Sequence, residues 1–243
     1  RAESSATSES RKGEVATVIS RMKDRNLNSS YGAAYYPFVK VRDDQTGTII
    51  TMPPSVVALG VLANTERAAD VWFAPAGFNR GGLSLGAGGL TVTGVEQKLT
   101  SRNRDDLYEV NINPIASFPA EGVVVFGQKT LQATPSALDR INVRRLMIFL
   151  KRGISRIAST TLFQPNVQAT WNSFKSRADR FLGDVQVRFG LTEFRVVLDE
   201  TTTTPDLIDR NIMYAKVFVK PARAIEFIAI DFVITRSGAS FDD

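Results

Sequence analysis

The 243-residue chain contains neither cysteine nor histidine. Without cysteine it has no disulfide framework, no thiolate nucleophile and no thiolate zinc site. Without histidine it lacks the side chain that most often shuttles protons near neutral pH and binds transition metals. Because the residue types behind most enzymatic and soft-metal chemistry are missing, the composition favours a structural protein.

Long apolar runs and strong charge imbalance are missing as well. No run approaches the roughly 20 apolar residues that a membrane-spanning helix needs. Residues 1–12 lack the apolar centre of a secretory signal. The apolar content of 43% is ordinary for a globular domain, and the chain is long enough to bury a full core. A net charge of +5 is typical of a mixed-charge surface, and it leaves open an acidic partner or nucleic acid.

The spacing of apolar residues predicts an α/β fold in the broad sense (α+β), with a mixed β-sheet flanked by helices. The residues at 71–90, rich in glycine and proline, should form a loop. The run at 225–234 is apolar on both faces and predicts a central strand covered on both sides. Helices are expected at 13–25, 56–65, 102–110, 138–158 and 167–187, with a short helical turn at 205–209. Strands are expected at 31–42, 48–52, 122–127, 194–198, 214–220 and 225–234.

The two longest predicted helices are amphipathic and should pack on the sheet. The expected core is Trp171, Phe174, Phe181, Val143, Leu150 and Ile154, with Val217, Phe227 and Phe232 from strands. The first long helix also carries a basic face made of Arg140, Arg144, Arg145, Lys151, Arg152 and Arg156. This face could be solvated, could contact another subunit, or could follow a nucleic-acid backbone, although no base-reading module accompanies it.

Two further patterns are candidate chemical sites. The glycine-rich run at 81–89 lacks the lysine of a P-loop and is followed by an extended pattern, so it is interpreted as a loop. Asp199, Glu200, Asp206 and Asp209 could bind Mg²⁺ or Ca²⁺ or act as a hydrolytic pair. A helix-start role for Asp206 and pairing of the others with Arg210 or a neighbour are favoured. We therefore predict no catalytic residue, no metal site, no cofactor and no enzymatic activity.

A series of short motifs along the chain carries a family resemblance. In order they are Val39-Lys40-Val41, Pro53-Pro54-Ser55, Val71-Trp72-Phe73-Ala74-Pro75-Ala76-Gly77, Asn79-Arg80-Gly81, Asn113-Pro114-Ile115, Gly127 with Lys129-Thr130, Ile141-Asn142-Val143-Arg144-Arg145-Leu146, Phe163-Gln164-Pro165-Asn166, Asp199-Glu200-Thr201 and Lys220-Pro221-Ala222-Arg223, ending in Thr235-Arg236-Ser237-Gly238. This succession resembles the C-terminal, inner-domain region of the sheath proteins of contractile phage tails.

The resemblance implies a structural function. Such proteins form a helical tube around an inner tail tube, exchange strands through terminal arms, and contract to drive the tube through the host envelope. Partners would be further sheath copies, the tail tube protein, and the baseplate and tail terminator proteins, without a membrane. The protein would reside in the virion after assembly in the host cytoplasm. A phage-derived injection machine, of bacteriocin or type VI secretion type, and a basic nucleic-acid-binding module remain alternatives.

The resemblance also suggests how the chain is divided. Residues 1–30 would be an N-terminal segment with a short helix, at the end of a region that precedes them. Residues 31–236 would form the sheath core domain, and residues 237–243 a short C-terminal arm. The basic helix face would then be a subunit interface, together with Arg236, Ser237, Gly238 and Phe241. We expect the chain by itself to be mainly monomeric, because strand exchange needs a donated arm.

Overall fold

The computed structural model describes residues 14–84 and 90–229. Within this part of the chain, no helix is both long and apolar enough to cross a membrane. The helices are α1 Val15–Arg25, α2 Pro54–Ala68, α3 Ser101–Glu109, α4 Ile141–Ser159, α5 Gln168–Val187 and α6 Pro205–Asp209, with a 3-10 turn Ala137–Asp139 before α4. The strands are β1 Ala34–Tyr36, β2 Val39–Arg42, β3 Ile49–Met52, β4 Thr91–Val95, β5 Ile112–Phe118, β6 Gly122–Val125, β7 Leu191–Val197 and β8 Lys216–Pro221.

The strands are divided among small sheets that the helices flank. In the order β1-β5-β6, the first pair is parallel and the second antiparallel, so this sheet is mixed. The sheet β3-β2-β4 is antiparallel, and β7 and β8 form an antiparallel ribbon. The predicted α+β class and its mixed sheet are therefore confirmed.

Local signals account for several element boundaries. Helix α2 begins at Pro54, whose missing N–H has no helical partner in a first turn. Helix α3 begins after Thr100, whose hydroxyl accepts a hydrogen bond from the Asn103 N–H at 3.2 Å. The predicted strand at 31–42 is two strands, because Pro37 lies between β1 and β2 and has no N–H for a ladder.

Strand β5 was not predicted from the spacing of apolar residues. Its Pro114 argues against a central strand, yet the strand pairs with both β1 and β6. The fully buried Asn113 supplies additional hydrogen bonds. Its amide donates to the carbonyls of Ala34 at 3.0 Å and Lys129 at 2.8 Å, and its oxygen accepts from the Lys129 N–H at 2.6 Å. The Asn113 side chain thus connects backbone segments that lie on either side of β5.

The prediction of a buried central strand at 225–234 is wrong for its described part. Residues 225–229 form no strand, and Ile225, Phe227 and Ile228 are 83%, 82% and 76% exposed. Two-sided apolar character predicts cover on both faces, but nothing in the described part of the chain covers this segment. Residues 230–234, including Phe232 of the expected core, lie outside the described residues.

The main core lies where α4 and α5 pack against the β7–β8 ribbon. Trp171, Phe174, Val143 and Leu150 are buried, as predicted. Other expected core residues, Phe181, Ile154 and Val217, are only partly buried and lie at the margin of this core. A second core joins α2, β2, β4, β5 and β6, and a third joins α1 to Tyr36, Leu107 and Ile112.

The Phe181 ring of α5 packs directly against Gly153 of α4. A Cβ placed on Gly153 would lie 2.2 Å from Cζ of Phe181, so only glycine admits the ring in this position. The Phe181 ring also lies 5.7 Å from the ring of Phe149, measured between centroids. Phe181 is therefore partly buried at the contact between α4 and α5. Its ring can occupy this position because residue 153 of α4 has no side chain.

We expect Phe174→Ala to lower the free energy of unfolding by about 3–5 kcal/mol, because it removes a fully buried ring. Urea denaturation followed by circular dichroism measures this change. Phe163→Ala is the matched control, because Phe163 is fully exposed. This substitution should change the free energy of unfolding by less than about 0.5 kcal/mol. Equal effects of the two substitutions would contradict the assigned core.

We expect Gly153→Ala to destabilise the chain. Overpacking costs about 1–3 kcal/mol, against a gain in helix propensity of up to about 1 kcal/mol. Gly183→Ala in α5 is the control, since its new Cβ would meet no atom closer than 4.0 Å. Thermal unfolding of both variants and of Gly153→Ala/Phe181→Ala is the measurement. If the double variant shows no recovery, the clash is not with Phe181.

Candidate subunit-interaction site

The basic face of α4 is engaged within the chain at its N-terminal end. Arg140 Nε lies 2.7 Å from Glu226 Oε1, and its Nη1 lies 3.1 Å from Asp139. Arg144 donates to Ser30 Oγ and places its guanidinium 4.2 Å from the Tyr31 ring centroid. These arginines therefore attach α4 to other segments of the same chain.

Arg145 performs the same attachment toward α2. Its Nη2 donates to the carbonyl of Leu62 at 3.2 Å and to Glu66 Oε2 at 3.0 Å. Burial lowers the pKa of the Arg145 guanidinium, and the Glu66 carboxylate opposes that shift. A guanidinium nevertheless stays charged at physiological pH, so this contact is a partly buried ion pair.

The C-terminal end of the basic face is free. Lys151, Arg152 and Arg156 are exposed, and within residues 14–84 and 90–229 they have no hydrogen-bond or ion-pair partner. They form a cationic surface that can accept an acidic partner. The remaining predicted interface residues, Arg236, Ser237, Gly238 and Phe241, lie outside the described residues. Contact of any of these residues with another subunit stays a prediction.

Glu226 fastens the segment 222–229 to the body of the domain. Its carboxylate accepts hydrogen bonds from Arg140 Nε at 2.7 Å, Tyr108 Oη at 3.0 Å and Gln128 Nε2 at 3.1 Å. The Glu226 side chain is 17% exposed, in contrast to its apolar neighbours. One partly buried carboxylate thus anchors a segment that otherwise exposes apolar side chains.

The groups around Glu226 reinforce this anchor. Burial, with help from the nearby Glu226 charge, raises the pKa of Tyr108 and keeps its phenol protonated as a donor. Lys129 donates to the Tyr108 carbonyl at 2.7 Å and lies 4.2 Å from its ring centroid. Burial lowers the pKa of Lys129. The apolar pattern of residues 225–234 did not predict this cluster, although a lone acid inside an apolar run is a signal that could have revealed it.

The β7–β8 ribbon offers strand edges to a partner. In the described part of the chain each strand pairs only with the other, which leaves an unpaired edge on both sides. Glu193 and Lys220 form an ion pair across the ribbon, and Phe218 is exposed. Open edges present rows of backbone N–H and C=O groups that readily accept another strand.

The candidate chemical sites have local structural explanations. The Asp199 carboxylate accepts hydrogen bonds from the Thr201 hydroxyl and, at 2.9 Å, from the Thr201 N–H, and these bonds lower the pKa of Asp199. Asp206 lies in the first turn of α6, as predicted. It also lies 3.4 Å from Arg210, a pairing that the sequence had suggested for the other acids. Among the described residues no group of three acidic side chains is arranged to hold a metal ion. The Gly81 N–H donates to the Gly77 carbonyl, and the Gly81 carbonyl accepts a hydrogen bond from the Val125 N–H of β6. Residues 85–89 lie outside the described residues.

The comparisons with known proteins agree with the motif series. Residues 133–235 match the phage tail sheath C-terminal domain family. The tail sheath protein of Vibrio phage KVP40 is 43% identical over 182 residues, which is 75% of this chain and 26% of that protein. That of Enterobacteria phage T4 is 36% identical over 222 residues, 90% of this chain and 32% of that protein.

A solved structure extends the match to three dimensions. The contracted helical sheath of the anti-feeding prophage gives a TM-score of 0.72 at 29% identity, over 85% of this chain and 56% of that chain. Residues 133–235 belong to the phage tail sheath C-terminal domain family. The resemblance seen in the motifs is thereby confirmed, and the chain spans about a third or less of the phage relatives' own length.

One sheath motif now has a structural role. Trp72 of the Val71–Gly77 stretch donates its Nε1 proton to the Arg188 carbonyl at 2.9 Å. The Arg188 guanidinium lies 4.9 Å from the Trp72 ring centroid and pairs with Asp70 at 2.9 Å and Asp184 at 2.7 Å. The motif therefore locks a loop of the N-terminal half onto the end of α5 in the sheath domain.

We expect Glu226→Gln to loosen the segment 222–229, because the charge-assisted bond to Arg140 is lost. Arg223 is exposed within this segment, so trypsin cleavage after Arg223 should become several-fold faster. Timed proteolysis with mass spectrometry follows the cut. Glu200→Gln, at an exposed carboxylate outside the cluster, is the control, and equal cleavage rates in both variants would show that Glu226 does not anchor the segment.

Proposed function

We propose that this chain is part of a structural subunit of a contractile tail sheath. Such a subunit polymerises into a helical tube around the tail tube, and contraction of the sheath drives that tube through the host envelope. The observation that carries the proposal is the match of residues 133–235 to the sheath C-terminal domain. A structural role of this kind needs no catalytic residue and no cofactor.

The β7–β8 ribbon supports assembly by strand exchange. An arm that adds a strand to an open edge gains backbone hydrogen bonds with little dependence on side chains. Such a link can persist while the surfaces of neighbouring subunits slide and repack. A contact between two different surfaces that does not close into a ring generates a helical filament. Terminal arms of neighbouring copies are therefore the partners that we assign to the ribbon edges.

The free basic end of α4 supports a second, rearranging contact. Lys151, Arg152 and Arg156 are solvated in the free chain, and Asp199 and Glu200 are exposed acids on another loop of the same chain. Polar surfaces of opposite charge are stable both in water and against each other, as a contracting lattice requires. Exposed ion pairs contribute only about 0–1 kcal/mol each, so such contacts can exchange.

Further partners and the setting follow from the same proposal. The tail tube protein would lie inside the sheath, and the baseplate and tail terminator proteins would bound its ends. The protein would be a virion component assembled in the host cytoplasm.

A phage-derived injection machine is the second candidate, favoured by the similarity to the anti-feeding prophage sheath. Capsid and terminase genes beside the coding gene would indicate a phage.

A nucleic-acid-binding module receives less support. Arg140, Arg144 and Arg145 contact groups of their own chain, so the basic face is shorter than the sequence suggested. Backbone recognition gains affinity from many phosphate contacts and loses it steeply with added salt. Salt-dependent binding of generic duplex DNA at micromolar concentration would favour this alternative over the sheath.

We expect Arg152→Glu with Arg156→Glu, introduced into the gene product that contains this chain, to weaken sheath formation. The reason is that reversing both charges repels an acidic neighbour surface. Electron microscopy should show fewer or shorter tubes, with the largest difference at low salt. Arg42→Glu is the control, because Arg42 is exposed on β2 and does not belong to the basic face of α4. Tubes of normal number and length in the double variant would exclude this surface from the sheath contacts.

A further inference from the structure

A cavity of about 830 Å³ lies between the loop at 72–80, helix α3, the residues 126–128 after β6, and the segment 222–228. Cavities that hold small ligands measure roughly 300–1,000 Å³, so this one is large enough for a molecule with several rings. Its wall is rich in aromatic side chains, namely Trp72, Phe73, Phe78, Tyr108, Phe126 and Phe189. These rings come from distant parts of the sequence, and only the fold brings them together.

Hydrogen bonds within the chain hold the walls of this cavity in place. The Trp72 indole donates to the carbonyl of the residue that ends α5, at 2.9 Å. The Ala222 N–H donates to the Gly190 carbonyl at 3.1 Å. The Glu226 carboxylate attaches the rest of the segment 222–228 through the three bonds described above. Because the walls are already ordered, a ligand need not order them, and more of its contact energy remains as affinity.

Three arginines line the cavity, namely Arg80, Arg104 and Arg223. Within residues 14–84 and 90–229 none of them forms an ion pair with a carboxylate. The Arg80 guanidinium lies 5.1 Å from the Phe73 ring centroid, and that of Arg104 lies 5.8 Å from the Phe126 ring centroid. Arg80 donates through Nε to a loop carbonyl at 3.0 Å, and its two Nη groups have no partner in the described part of the chain. These N–H groups are available to an anion.

Acidic side chains do not neutralise these arginines. The acids that line the cavity are Glu226 and Asp105. Glu226 is engaged by Arg140, which lies 2.7 Å away and does not line the cavity. Asp105 is exposed and forms no ion pair with another described residue. Positive charge therefore exceeds negative charge in the wall, and an anion is the favoured occupant.

Aromatic rings beside guanidinium groups fit one class of ligand. A flat ring of the ligand would stack on the aromatic wall, and its charged group would accept hydrogen bonds from the arginines. We infer that the cavity binds a small aromatic anion, a carboxylate or sulfonate carried on one or two fused rings. A cation of the same shape would be repelled by the arginines. This site is separate from the proposed sheath contacts and adds a ligand-binding property to the chain.

The first test is isothermal titration calorimetry of the full chain with the dye anilinonaphthalene sulfonate. We expect one bound molecule per chain, with a dissociation constant in the micromolar range. Phe126→Ala should weaken binding at least about tenfold, and Arg80→Gln about fivefold. Phe163→Ala and Arg42→Gln are the controls, because these exposed residues lie outside the cavity, and each should change the dissociation constant less than about twofold. Circular dichroism shows that each variant is folded.

Two outcomes of this titration would overturn the inference. One is the absence of saturable binding at millimolar dye. The other is a loss of affinity in Phe163→Ala as large as that in Phe126→Ala, since the dye would then adhere to exposed rings in general.

A pair of ligands with the same ring and opposite charge tests the role of the arginines. Naphthalene sulfonate should displace the bound dye, whereas naphthylmethylammonium at the same concentration should leave it bound. Fluorescence of the dye follows the displacement. Equal displacement by the two ligands would show that the ring alone accounts for binding and would refute an anion site.

The last test places the ligand beside the segment 222–228. Because Arg223 belongs to the cavity wall, saturating naphthalene sulfonate should slow trypsin cleavage after Arg223 by roughly threefold or more. Timed proteolysis with mass spectrometry measures the rate. Cleavage after Lys98, an exposed residue that does not line the cavity, should be unchanged and controls for any effect on trypsin itself. Unchanged cleavage after Arg223 would mean that the ligand binds elsewhere, which contradicts the assigned site.

Discussion

The contact between the Phe181 ring of α5 and Gly153 of α4 joins the two helices on which the C-terminal half of the domain is built. Gly153 leaves room for the Phe181 ring, and Leu150 and Phe174 are buried where both helices pack on the ribbon. Phe149 extends the seam and contacts Trp72 at 5.5 Å between ring centroids. The helix pair thereby fixes where the ribbon edges and the free basic end of α4 are displayed.

Polar contacts connect this helix pair to the rest of the chain. The N-terminal half of α4 uses its arginines to hold the segment at Ser30 and Tyr31, the helix α2 and the segment at Glu226. In the proposed sheath the subunit would transmit force, and charge-assisted hydrogen bonds of this kind are stronger than bonds between neutral groups. The N-terminal end of α4 therefore contacts other segments of the same chain, and its C-terminal end is an exposed charged surface.

The free chain displays surfaces that are unusual for an isolated domain. Ile225, Phe227 and Ile228 are exposed beside a cavity with aromatic walls, and the ribbon has two open edges. Contiguous apolar surface and unpaired strand edges normally mark contact with another chain. In the proposed sheath, neighbouring copies would cover both features. This would explain why residues 225–229 have the apolar character of a buried segment.

The sequence by itself determined the helices, because apolar spacing and the residues at helix starts are local properties. It also revealed the sheath family, because many short motifs occur in one order. Only the tertiary structure decided which arginines of α4 are occupied, since their partners Tyr31, Glu66 and Glu226 are distant in sequence. It alone placed β5, whose proline argued against a strand and whose pairing depends on distant residues. The sequence likewise did not predict the exposure of residues 225–229. An apolar pattern predicts that a segment is buried, but it does not identify the chain that buries it.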